Sequence, residues 1–168
     1  EYDWPWYGKL SGAYFKSHPQ NQMAKLVIKD KNHPSTAHLP EVWERVDEWY
    51  NFKKVPEHVK VLISIDEKSY TGGENGENHP MAWYHEFDGG RSFYTELGHT
   101  NESFSDPAFL KHILGGIQYA IGNGQKADYS KTKKMNVPEE DRFTKNVLAA
   151  GVFDEPTEMA ILPNLDIL

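Results

Sequence analysis

The 168-residue chain contains no cysteine. Disulfides, thiolate-bound zinc and a thiol nucleophile supplied by this chain are therefore excluded, while the redox compartment stays open. No apolar run approaches the ~20 residues of a membrane-spanning helix. The first 30 residues also lack the apolar core, about 7–15 residues long, of a secretory leader. Positive charge is not in excess: 18 Lys and Arg stand against 25 Asp and Glu, a formal net charge of −7. That balance disfavours a nucleic-acid or anionic-membrane partner, so neither nucleic acid nor membrane insertion is expected. There is no Gly-x-Gly-x-x-Gly, Walker A loop, His-Glu-x-x-His or Gly-x-Ser-x-Gly. These absences count against a dinucleotide enzyme, a P-loop NTPase, a zincin and a serine hydrolase. No motif calls for a cofactor or a metal, and no internal repeat or low-complexity tract is visible.

Aromatic residues and histidines are abundant instead. Five Trp, nine Tyr, eight Phe and eight His occur in a chain whose mean hydropathy is −0.71. Residues 24–29 read as a strand with Ala24, Leu26 and Ile28 on one face. A helix is predicted from Pro40, with a stripe of Leu39, Val42, Val46 and Trp49 between charged positions. Residues 59–65 form a run apolar on nearly both faces, the habit of a parallel strand between helix layers. Residues 81–87 and 91–97 read as strands around an Asp88-Gly89-Gly90 turn. Asp106-Pro107 supplies an N-cap and a first-turn proline for a helix ending near Gly122. Residues 125–141 are polar and read as a linker, and residues 142–168 as the start of a second, uncompleted module.

Several polar residues are candidates for chemistry. His33-Pro34 and His38 could offer two ligands on a turn, but no third ligand is fixed, and a structural or polar site role fits better. Asp47 and Glu48 sit within the amphipathic segment, where a solvated face is the bland reading. The following Trp49-Tyr50 raises the alternative of a cleft edge. Trp83 and His85 share side-chain parity on one strand. Together with His79 they could form a sugar platform, the ring stacking on C–H faces and the imidazoles meeting hydroxyls, or simply pack in the core. His99 follows the second hairpin strand just before a polar cluster and a helix. It is the strongest single candidate for a general acid or base.

Five segments in order resemble the ThuA-like (trehalose utilization) family. Gly12-Ala13-Tyr14-Phe15 with His18-Pro19 and Gln22 is similar to its "GxxFxxHP" region, and "VIKDKNHP" (27–34) to its strand followed by Asp and His-Pro. "LPEVWERVDEWYNF" (39–52) resembles its Asp-Glu-x-Tyr helix. "HPMAWYHEFDGGRSFYTELGH" (79–99) resembles its most distinctive block, departing at Gly89-Gly90-Arg91, where a Lys commonly precedes the second Gly. "DPAFLKHILGGIQYAIG" matches its closing helix. The resemblance spans residues 1–124. It implies an α/β fold of the class I glutamine-amidotransferase-like, flavodoxin-type three-layer sandwich, here without its N-terminal half. It also implies action on sugars or oxidised (3-keto) glycosides. His99 stands where the related amidotransferases place a histidine, but their cysteine nucleophile has no counterpart in this chain. The tail "DRFTKNVLAAGVFDEPTEMAILPNLDIL" resembles the start of a glucose/sorbosone-dehydrogenase-type β-propeller. Together these imply a segment of a larger periplasmic or extracellular bacterial protein with covalent neighbour domains.

Two functional readings follow. In the first, His99, Asp47 and Glu48 are catalytic, while His33, His79, Trp83, His85 and Arg91 bind a sugar or glycoside ligand. In the second, Trp4, Trp6, Tyr7, Trp83 and Tyr84 hold a glycan for a neighbouring domain, or the segment is a spacer without a ligand.

Overall fold

The computed structural model describes residues 4–122. The expected linker 125–141 and second module 142–168 lie outside the described residues. Strands β1 (Phe15–Ser17), β2 (Gln22–Ile28), β3 (Val42–Asp47), β4 (Asn51–Phe52), β5 (Lys60–Ile65), β6 (Pro80–Phe87) and β7 (Gly90–Thr95) alternate with helices α1 (Pro5–Ser11) and α2 (Pro107–Ile121) at the two ends. Five strands form one sheet in the order β3-β2-β5-β6-β7, and β1 pairs with β4 in a small ribbon. Every pair in the five-stranded sheet is antiparallel.

Two sequence expectations are corrected. The segment from Pro40 to Trp49 is not a helix; Val42–Asp47 is an edge strand with strictly alternating burial. Trp43, Arg45 and Asp47 point inward, whereas Val42 and Val46 are exposed. Of the predicted stripe, Leu39 and Trp49 are core, but Val42 and Val46 are not, because the inward face of the strand is Trp43 and a buried ion pair. β5 is likewise not parallel to its neighbours. Leu62, Ile63, Ser64 and Ile65 are all buried. Cover on both faces makes a strand apolar on both sides, whatever the direction of its neighbours.

The β6–β7 hairpin matches its sequence signal. Asp88 and Gly89 both take positive φ, 50° and 82°. Phe87 then pairs with Gly90 across a two-residue turn of the type that follows strand twist. The two helices lie on opposite faces of this hairpin. Trp83 Nε1 donates to the Ser11 carbonyl and Ser92 Oγ to the Leu10 carbonyl, which fixes α1 on one face. On the other face His112 of α2 meets the Thr95 hydroxyl at 3.1 Å. Gly115 permits α2 to approach: a Cβ there would stand 2.4 Å from the Pro34 backbone. Asp106 caps α2 by accepting from the Ala108 amide, Pro107 opens it, and Gly122 ends it at φ 88°.

Candidate functional site

The candidate site starts from one buried carboxylate. Asp47, the last residue of β3, is fully buried. Its Oδ2 accepts from the Gly98 amide at 2.9 Å and from Arg45 Nη2 at 2.9 Å. Its Oδ1 accepts from the His99 amide at 3.0 Å and the Glu48 amide at 3.1 Å. Arg45 is held in turn by the Ser103 hydroxyl at 2.6 Å and lies over the rings of Trp43 and Phe109. All the ordinary acceptor directions of Asp47 are therefore in use. It touches no solvent, and what it does is bring the backbones of Glu48 and His99 together.

Beside this anchor, the Glu48 carboxylate emerges between two half-exposed imidazoles. Its Oε1 lies 3.1 Å from His18 Nδ1 and its Oε2 lies 3.4 Å from His99 Nδ1. The Tyr50 hydroxyl hydrogen-bonds the same carboxylate. Burial first, then the Glu48 and Glu96 charges, push the Tyr50 phenol above its ordinary value. Tyr50 also packs edge-on against Phe15, with ring centroids 4.8 Å apart. His18 Nδ1 faces the Pro19 carbonyl as well, at 2.9 Å. With acceptors at Nδ1 in both rings, the tautomer inferred from these partners carries its proton there and leaves Nε2 as the basic lone pair.

Glu96, between β7 and Gly98, lies behind this group. Neither of its buried carboxyl oxygens completes a hydrogen bond among the described residues, although the Tyr50 amide is near. Burial, reinforced by the Asp47 charge, raises its pKa well above the carboxylate range. Burial thus favours the protonated form of Glu96.

The remaining candidates are dispersed. Trp83 is fully buried and stacked on Tyr94 at 4.1 Å, so its ring has no open face to offer a sugar. His79 is also fully buried. It bridges Glu67 Oε1 and the Tyr50 carbonyl, each at 2.7 Å, and so pins the loop before β6. Burial lowers its pKa against the pull of those two acceptors. His33 is buried against Tyr84 and Tyr119. His85 reaches the Leu10 carbonyl at 2.9 Å, and Arg91 Nε donates to the Tyr119 carbonyl at 3.0 Å, both at the turn end of the hairpin. The structure thus brings His99, Glu48 and Asp47 together, and separates them from His33, His85 and Arg91. Among the described residues, no three His, Asp or Glu side chains are placed to hold a metal ion.

The sequence profile of the ThuA family, described as trehalose utilisation, matches residues 1–120. The chain belongs to the ThuA family. Two solved structures resemble it. A ThuA-like protein from Bacteroides uniformis is 23% identical, with a TM-score of 0.59, over 75% of this chain and 55% of that one. A ThuA-like protein from Parabacteroides merdae is 25% identical, with a TM-score of 0.52, over 69% of this chain and 50% of that one. The chain therefore spans about half the length of these solved relatives. No curated protein matches significantly.

Family membership suggests a carbohydrate-related role. Within this ThuA domain, residue-by-residue reasoning did not single out His18, Tyr50 or Glu96 for the site. The His18-Pro19 dipeptide was visible, and so was Tyr50 in the Asp-Glu-x-Tyr segment. Nothing local marked Glu96, because its importance comes from burial.

Proposed function

We propose that this ThuA domain processes a sugar or an oxidised (3-keto) glycoside at Glu48, His18 and His99. The observation that carries this reading is one carboxylate within 3.4 Å of two half-exposed imidazoles. Glu48 orients both rings and stabilises whichever becomes imidazolium. One Nε2 takes the proton from the carbon beside the sugar carbonyl. The other ring, protonated, returns a proton to the oxygen on which charge develops. Asp47 is a positioning residue in this scheme, and neutral Glu96 avoids adding a second negative charge behind Glu48. The same reading gives the domain a flavodoxin-type sandwich and assigns the protein to the periplasm or the cell exterior.

The test is His99→Ala and His18→Ala in the full-length protein, with turnover of 3-keto-glycosides followed by mass spectrometry. Loss of turnover by at least a hundredfold in His99→Ala is expected, in line with general acid–base contributions of roughly 10²–10⁴. A variant that keeps its activity would overturn the assignment.

A second reading, a non-catalytic carbohydrate-binding module, is favoured by one feature. Trp4 and Tyr7 are exposed and stacked, with ring centroids 5.8 Å apart. Disaccharide binding that disappears in Trp4→Ala, with no product formed by the parent protein, would decide for it.

A further inference from the structure

A cavity of about 650 Å³ opens at the turn end of the β6–β7 hairpin, at the far end of β7 from His99. Tyr84 and Tyr119 line it, and their rings meet edge to face at 4.9 Å. Lys60, on β5, also lines it. Its ammonium stands 5.5 Å from the centre of the Tyr84 ring and makes no ion pair among the described residues. Arg91 completes the cationic side. It spends Nε and Nη2 on the Tyr119 and Ile121 carbonyls, which offsets the negative end of α2. Glu86 is the one carboxylate of the lining among the described residues.

A third element lies against the tyrosines. His33 Nδ1 meets the Ser35 hydroxyl at 2.7 Å and accepts from the Ser35 amide at 3.2 Å, partners from which a neutral ring with its proton on Nε2 is inferred. That Nε2 is buried and has no hydrogen-bond partner among the described residues. The ring is only 5% exposed and packs 4.6 Å from Tyr84 and 4.8 Å from Tyr119, centroid to centroid. Burial lowers the His33 pKa, so the ring stays neutral and keeps a single donor. Two tyrosine walls beside an ammonium without an ion pair among the described residues stand out in a chain of net charge −7.

We propose that this cavity binds an anionic monosaccharide, phosphorylated or carboxylated. Lys60 meets the anion and the tyrosines pack on the apolar faces of the sugar ring, while the buried His33 ring backs Tyr84 and Tyr119 from behind. This site stands apart from the Glu48 group and does not depend on the catalytic reading given for it.

Isothermal titration of the 168-residue chain with glucose 6-phosphate, glucuronate, inorganic phosphate and trehalose tests the proposal. Both anionic sugars should bind, at least tenfold more tightly than trehalose or inorganic phosphate, and more weakly as salt is raised. Lys60→Glu, at an exposed position that leaves folding intact, should weaken the anionic sugars at least tenfold. His99→Ala should leave their affinity unchanged, which separates this site from the Glu48 group. Absence of binding by both anionic sugars, or equal affinity in Lys60→Glu, overturns the proposal. So does inorganic phosphate or trehalose binding as well as the anionic sugars.

Discussion

The two ends of the β6–β7 hairpin carry comparable numbers of polar residues but use them differently. At the His99 end a fully buried carboxylate, Asp47, is saturated with four donors and holds the chain segments in place. Only the next shell outward, Glu48 with its two imidazoles, reaches solvent. At the Arg91 end the cations lie at an open cavity, and the buried His33 ring stands behind its two tyrosines. Among the described residues, buried atoms without a hydrogen-bond partner occur at both ends, on Glu96 and Arg45 at one and on His33 at the other, so the ends differ in which charged groups face the open surface. The two ends therefore predict different mutant phenotypes.

The largest effects should come from the scaffold. Asp47→Ala leaves the buried Arg45 with only the more distant Asp106 carboxylate, at 3.7 Å, and strips the acceptor from three amides. A loss of about 3–5 kcal/mol, read by urea unfolding, is expected. Trp83→Ala should cost about as much, ~3–5 kcal/mol, because it empties the space between Tyr94 and Phe52. If Trp83→Ala instead left stability intact and abolished sugar binding, the assignment of Trp83 to the core would fail.

Acid should act next, through α2. His112 is fully buried between the Ser35 carbonyl and the Thr95 hydroxyl, and burial depresses its pKa from 6.5 to about 4. The unfolded chain then binds more protons than the folded one between those values. This contribution is present above pH 6.5 and is lost as pH falls toward 4, about 3 kcal/mol over the whole window. His112→Gln should flatten that limb of the stability curve. A curve equally steep in the variant would place the acid sensitivity elsewhere.

Glu96 should work in the opposite sense. Its folded pKa is raised, so its contribution is complete below the unfolded value near 4.5 and is lost as pH rises toward the folded one. Glu96→Gln keeps the shape and removes the titration. It should gain stability relative to the parent protein as pH increases from 5 to 9, and a constant difference across that range would contradict the buried neutral acid.

Sequence and structure agree where local chemistry decides. The Asp88-Gly89 turn, the Asp106-Pro107 cap and the Gly122 stop each act through their own backbone, and each was readable. They part where partners distant in sequence decide. The inward face of β3 is Trp43, Arg45 and Asp47, and two of the three are charged, so hydrophobic periodicity pointed to Val42 and Val46 instead. Only the presence of Ser103, Gly98 and His99 across the fold makes that face a stable interior. The Glu48–His99 pairing was partly legible because both residues had been singled out as catalytic candidates. That His18 completes it depends on how the chain returns from β1, which no local spacing encodes. Trp83 shows the converse: its side-chain parity with His85 was readable, but its closed environment, formed by Ser11 and Tyr94, was not.

The smallest stability effect should be at His99 itself, and it is the most discriminating. The side chain is 51% exposed and, among the described residues, its imidazole pairs with Glu48 alone, at 3.4 Å, whereas its amide is the part bound by Asp47. Truncation to alanine keeps the amide and removes only the ring. His99→Ala should therefore stay within about 0.5 kcal/mol of the parent protein in urea unfolding, as surface substitutions usually do. Asp47→Ala, one hydrogen bond away, should lose several times that. If His99→Ala were as destabilising as Asp47→Ala, the imidazole would belong to the scaffold, and the distinction between holding and reacting groups at this end of the hairpin would collapse.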